Sequence, residues 1–191
     1  MPEHDPASLY PPLPTDLRAC CWRGDLEGAR RAVAGGERID ARHATGYPAL
    51  FLATARGHLA VMRFLLDAGA DPDIPDHIGV TPLMGACYED RVDAAALLLA
   101  RGANVNARTA EQATPLMFAA MYGRRELVDL YLASGADRWA TDHRGHTPGG
   151  FARVQGHLEL GRHLEAWTAA AGGAAPAKRR DRPSRAGRRD G

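Results

Sequence analysis

The chain has 191 residues, of which 45% are hydrophobic and 25% charged, an ordinary balance for a folded domain rather than a disordered one. Its formal charge of +1 hides a division: residues 168–191 hold seven basic and two acidic groups, a net of +5, which leaves −4 on the rest. No apolar run approaches the ~18 residues of a membrane span, and the three cysteines, two of them adjacent at Cys20 and Cys21, suit reduced thiols better than a disulfide framework.

In chain order, residues 1–13 are proline-containing (Pro2, Pro6, Pro11, Pro12) and are expected to be an extended leader. Met1-Pro-Glu-His-Asp-Pro lacks the basic-then-apolar pattern of a secretory signal, so a cytoplasmic location is expected. From Thr15 a repeat begins. Thr81-Pro82-Leu83, Thr114-Pro115-Leu116 and Thr147-Pro148 keep a fixed register, which extends back to Pro48-Ala49-Leu50 and Thr15-Asp16-Leu17. Gly24, Gly57, Gly123 and Gly156 follow the same ruler, with Asp90 in the third slot. So do Gly69-Ala70-Asp71, Gly102-Ala103-Asn104 and Gly135-Ala136-Asp137.

Each landmark has a mechanical meaning. Threonine before proline starts a helix, because its hydroxyl caps free N–H groups and proline at the first helical position loses nothing. The glycine slot ends that helix in a left-handed turn. A second helix follows, carrying Val61, Phe64, Leu65 and Leu66 in one unit and Leu97, Leu98 and Leu99 in the next. Gly-Ala-Asp/Asn closes it. Helices this short are marginal alone, so the units must stack to bury a shared core.

The register and the Gly-x-Thr-Pro-Leu and Leu-Leu-x-x-Gly-Ala-Asp/Asn signatures resemble the ankyrin repeat, in the manner of bacterial ankyrin-repeat proteins. That resemblance implies an all-α solenoid of helix-turn-helix units with β-hairpin finger loops. About five repeats are expected within residues 14–167, with units near 14–42, 43–75, 76–108, 109–141 and 142–167. It also implies a binding role with no catalytic residues. Phe51, Met84, Met117 and Gly149 occupy the slot where the family's Thr-Pro-Leu-His motif has histidine, so that residue's backbone bonds should give way to packing. Arg31, His163 and Glu165 replace inner apolar residues in the end units, as solenoid caps require.

By the same resemblance, ligands meet the fingers and the inner face of each first helix. The finger set is Arg42, Ala44, Thr45 and Tyr47; Pro75, His77, Ile78 and Val80; Arg108, Ala110, Glu111 and Ala113; and His143, Arg144 and His146. The inner-helix set forms two columns: Trp22, Ala55, Tyr88, Met121 and Val154, beside Arg23, Arg56, Glu89, Tyr122 and Gln155. Trp, Tyr, Met and Arg are the types enriched in binding hot spots. Trp22, Tyr88, Met121 and Tyr122 are therefore the expected anchors for a protein partner.

Other chemistry finds no support. There is no Gly-x-x-x-x-Gly-Lys, Gly-x-Ser-x-Gly or His-Glu-x-x-His signature. His143 and His146 share a turn without a cysteine to complete a zinc set. No cofactor or metal is expected. Cys20 falls in a buried alanine slot, and His58 and His157 belong to structural Gly-His pairs. The tail, residues 168–191, reads as disordered and basic. Its cluster at residues 178–189 offers a second function, electrostatic contact with nucleic acid or an anionic surface, though no aromatic residue follows Trp167 for base stacking. A monomer is expected.

Overall fold

The computed structural model describes residues 16–41 and 46–167; the leader, the first finger positions Arg42, Ala44 and Thr45, and the basic tail lie outside the described residues. Five helix pairs follow one another: α1 (Leu17–Arg23) with α2 (Leu26–Ala34), α3 (Ala49–Arg56) with α4 (Leu59–Asp67), and α5 (Pro82–Gly85) with α6 (Val92–Ala100). The fourth pair is α7 (Pro115–Met121) with α8 (Arg125–Ala133), and the fifth is α9 (Pro148–Val154) with α10 (Leu158–Ala166). First helices stack on first helices throughout and second on second as far as α8, while α10 packs on α9, so one apolar core runs from Leu17 through Leu50, Leu83 and Leu116 to Leu160. No helix among the described residues is long and apolar enough to cross a membrane.

The caps work as the sequence predicts at Thr114 and Thr147, whose hydroxyls accept from the N–H groups of Met117 and Gly150. Thr81 differs: it precedes α5 but makes no side-chain cap. Packing does not wholly replace the motif's histidine either. The Met117 sulfur accepts from the Thr114 N–H at 3.4 Å, while Phe51 and Met84 do pack, joining Val80 and Ala55 in a second apolar cluster apart from the main core.

A repeated polar contact ties the first four pairs together. The residue before the second helix reaches back to the carbonyl end of the preceding first helix. His58 Nε2 donates to the Trp22 carbonyl at 3.0 Å, Arg91 Nε to Ala55 at 3.4 Å, and Arg124 to Cys87 and Tyr88 at 3.1 and 2.8 Å. Each satisfies a carbonyl that the helix end leaves open, and the arginines also oppose the negative end of the helix dipole. Gly24 is required beneath His58, since a Cβ there would stand 2.7 Å from the imidazole and φ is +75°.

Two non-glycine residues sit in left-handed slots, Asp90 (φ 54°) and Gln112 (φ 63°). The expected β-hairpins are not formed as strands among the described residues. Each of the three later fingers is instead a tight turn closed by one backbone bond across its base: Asp76 N–H to the Val80 carbonyl, Thr109 to Ala113, Asp142 to His146. The Asp76 and Asp142 carboxylates accept two further N–H groups within their own turns, which fixes the turn without a ladder. At the ends, Arg31 and Glu165 are exposed, and His163 bonds to Asp129.

Candidate functional site

The first helices and the fingers enclose a groove with two hollows. One, of about 320 Å³, is lined by Trp22, Tyr47, Phe51, Ala55, Arg56, Asp76, Ile78, Tyr88, Glu89 and Tyr122. Its walls are rings in contact: Tyr88 meets Tyr122 edge-on with centroids 5.3 Å apart, Tyr47 meets Phe51 at 5.3 Å, and the Arg56 guanidinium lies 4.7 Å over Trp22. The second, of about 530 Å³, is lined by Ile78, Val80, Thr109, Ala110, Glu111, Ala113, Met117, Phe118, Met121, Asp142 and Phe151. Ile78, 58% exposed on the second finger, forms the shared wall.

The floor of both hollows comes from the departures at the motif's histidine slot. Phe51 lies under the first and Met117 under the second, with Met84 buried between repeats. An imidazole there would be polar; a benzyl or thioether side chain makes the floor apolar. In the first repeat the same slot holds Arg18, which is buried and donates from Nε to the Tyr47 carbonyl at 2.9 Å. Burial lowers its pKa, an effect that the nearby Asp16 opposes. Arg18 thereby holds the base of the first finger, and Tyr47 with it.

The predicted residues divide into three groups. Trp22, Tyr47, Arg56, Ile78, Tyr88, Glu89 and Tyr122 meet in the first hollow, and Glu111 and Met121 in the second. His77, Arg108, His143 and Arg144 stand on finger flanks. His77 packs edge-on to Tyr47 at 5.6 Å, and Arg108 donates to the Thr141 carbonyl at 3.1 Å. His143 donates to the Glu111 carboxylate at 2.8 Å, and Arg144 donates to His143. Arg23 leaves the column altogether. It lines a separate depression with Cys20, Asp25 and Glu37, whereas its register equivalents Arg56, Glu89 and Tyr122 stay in the first hollow.

Phe51, Asp76, Thr109, Met117, Phe118, Asp142 and Phe151 also line the hollows, outside the finger and inner-helix sets. A signal was available for Asp76: Asp76-His-Ile-Gly79 and Asp142-His-Arg-Gly145 share an Asp-x-x-Gly turn pattern.

Reactive groups lie elsewhere and are sheltered. Cys20, Cys21 and Cys87 are buried free thiols, and burial pushes Cys21 and Cys87 up to about 12. Such thiols remain protonated near neutrality and make poor nucleophiles. His146 donates to Asp142 at 3.1 Å rather than turning toward His143. No group of three metal-ligating side chains occurs among the described residues.

Comparison with known proteins bears on the fold. A family model of ankyrin repeats (three copies) matches residues 17–109, and an ankyrin repeat model matches residues 111–138. The chain belongs to the ankyrin repeat family. This ankyrin array is 34% identical over 109 residues to the E3 ubiquitin-protein ligase KEG of Arabidopsis thaliana, covering 51% of this chain and 7% of that protein. It is 37% identical over 75 residues to protein phosphatase 1 regulatory subunit 12A of Mus musculus, covering 39% and 7%. It is 28% identical over 97 residues to the putative ankyrin repeat protein YahD of Escherichia coli, covering 51% and 48%. The matched region thus spans under a tenth of the first two relatives and about half of the third.

Proposed function

We propose that this ankyrin array is a protein-interaction module, an adaptor, inhibitor or regulator that takes its partner in the groove between first helices and fingers. The observation that carries the reading is the convergence of Trp22, Tyr88 and Tyr122 on one open hollow with an apolar floor. Aromatic anchors set in a pocket are the usual centres of binding energy at protein interfaces. A relative named as a phosphatase regulatory subunit is in keeping with a regulatory binding role. The module acts without catalysis, as a monomer in the cytoplasm. Residues 178–189 give it a separable electrostatic contact with nucleic acid or an anionic surface, supported by their six arginines and one lysine against one acid.

The test is capture from lysate of the source organism with wild type and a Trp22→Ala/Tyr88→Ala/Tyr122→Ala variant of verified helicity. Loss of the specific partner from the variant supports the groove; equal recovery of every partner removes it. Truncation before Lys178 separates the tail's contribution, which must also weaken steeply with salt.

A further inference from the structure

The two hollows are apolar at the floor but acidic at the rim. Asp76 and Asp142 line them too, but their carboxylates are buried and accept N–H groups of their own turns; the rim carboxylates are the exposed Glu89 and Glu111, the latter beside His143, against a single guanidinium, Arg56. Arg56 is committed to the Trp22 ring. The other nearby arginines stand outside the hollows and are engaged: Arg108 with Thr141, Arg144 with His143, and Arg91 with the Ala55 carbonyl and, at 3.9 Å, with Glu89. The groove therefore presents aromatic faces and negative charge together. Both attract a planar cation: the ring quadrupole draws a guanidinium over its face, and the carboxylates complement its charge. The Arg56–Trp22 stack is an instance of the first attraction within the site itself. A volume of about 320 Å³ falls at the lower end of ligand pockets, which run from roughly 300 to 1,000 Å³, and suits one long side chain rather than a folded element. The neighbouring hollow is lined mainly by Val80, Ala113, Met117, Phe118 and Phe151, surroundings for an aliphatic side chain.

Resting on the groove reading above, we propose that the partner offers an extended basic peptide, with an arginine side chain in the aromatic hollow and an aliphatic side chain in the next. Ile78 separates the two anchors, and Glu89 and Glu111 set the preference for positive charge. The arginine slides between Tyr88 and Tyr122 on one side and Tyr47 on the other. An acidic segment meets like charge at both hollows, so the groove selects by repulsion as well as attraction.

The experiment is fluorescence anisotropy with three labelled dodecapeptides: one of arginine, leucine, serine and glycine, a second with glutamate for each arginine, and a third with serine for each leucine. The arginine–leucine peptide is expected to bind at least about tenfold more tightly than either control. Glu89→Gln with Glu111→Gln weakens it several-fold, and Tyr122→Ala does so independently. These positions are exposed, and circular dichroism confirms that each variant keeps its helices. Equal or tighter binding of the glutamate peptide overturns the proposal, as does arginine–leucine binding that none of the variants changes. If the glutamate peptide binds and Tyr122→Ala abolishes it, the groove stands and its charge preference falls. If no peptide binds while partner capture still depends on Trp22, Tyr88 and Tyr122, the basic-peptide assignment falls alone.

Discussion

The Tyr131 hydroxyl, fully buried on α8, donates to the Leu83 carbonyl of α5 at 2.7 Å. Leu stands at the equivalent position of the neighbouring repeats, Leu98 and Leu164, so the tyrosine answers something particular to α5. That helix is the shortest of the array. It ends at Gly85, after which Cys87 N–H pairs with the Met84 carbonyl instead of the one a turn earlier. The Leu83 carbonyl is thus left to a side chain, and Tyr131 supplies it from the next repeat. Tyr131→Phe leaves a buried acceptor with only the weak Cys87 thiol at 3.8 Å, a loss of about 1–3 kcal/mol. Urea unfolding followed by circular dichroism measures it; a loss below about 0.5 kcal/mol contradicts the role given to this bond.

Phe51 and Gly85 are a second interlocked pair. A Cβ on Gly85 would lie 2.8 Å from the edge of the Phe51 ring. Gly85→Ala is therefore expected to destabilise the array by about 1–3 kcal/mol through overpacking. Adding Phe51→Leu makes room, so the double variant should lose less than the sum of the two single changes. Strict additivity in a double-mutant cycle rules the interlock out.

Gln112 occupies a finger slot that is glycine at Gly46, Gly79 and Gly145, and it adopts φ 63°. Gln112→Gly relieves that conformation and should stabilise the protein by roughly 0.5–1 kcal/mol. The turn bond from its N–H to the Thr109 carbonyl and the bond its own carbonyl accepts from the Arg108 guanidinium both survive, and only a 3.5 Å contact from Arg108 to the Gln112 side-chain oxygen is lost. A lower melting temperature contradicts the reading.

The buried thiols give the fold an alkaline limit. Burial raises Cys21 and Cys87 from an ordinary value of 9.0 to about 12 in the folded state. Between those values the unfolded chain has released protons that the folded chain retains. Stability is therefore fully present below pH 9 and falls as pH rises toward 12, with a limiting slope of about 1.4 kcal/mol per pH unit for each thiol. Denaturation midpoints at pH 8 and pH 10 test this, and Cys87→Ala should flatten the difference. In native protein at pH 8 both thiols should resist a disulfide reagent until the chain is unfolded.

Much of this molecule is legible in its residues because a stacked repeat reports itself. Thr114, Thr147 and the glycine slots name helix starts and stops, and left-handed backbone at Asp90 and Gln112 follows from register alone. What register cannot reveal is contact between repeats. Nothing in the sequence says that Tyr131 answers a broken ladder in α5, or that Arg18 reaches Tyr47 twenty-nine residues away. The groove was half legible for the same reason. Columns of residues preceding each glycine slot place Trp22, Tyr88 and Tyr122 on one face. Arg23 nonetheless lies apart from its register equivalents Arg56, Glu89 and Tyr122, and the floor residues Phe51 and Met117 appear only once the repeats pack. In the fingers at 76–80 and 142–146, where no strand is formed, Asp76 and Asp142 satisfy turn N–H groups with side-chain bonds.

A partner held in the groove leaves the outer helices uncovered. Hydrogen–deuterium exchange on the purified complex tests it most directly. New protection is expected at residues 76–80, 88–89, 109–113 and 121–122, with α4, α6 and α8 unchanged. Protection confined to those second helices, with the fingers exchanging as in the free protein, would contradict it.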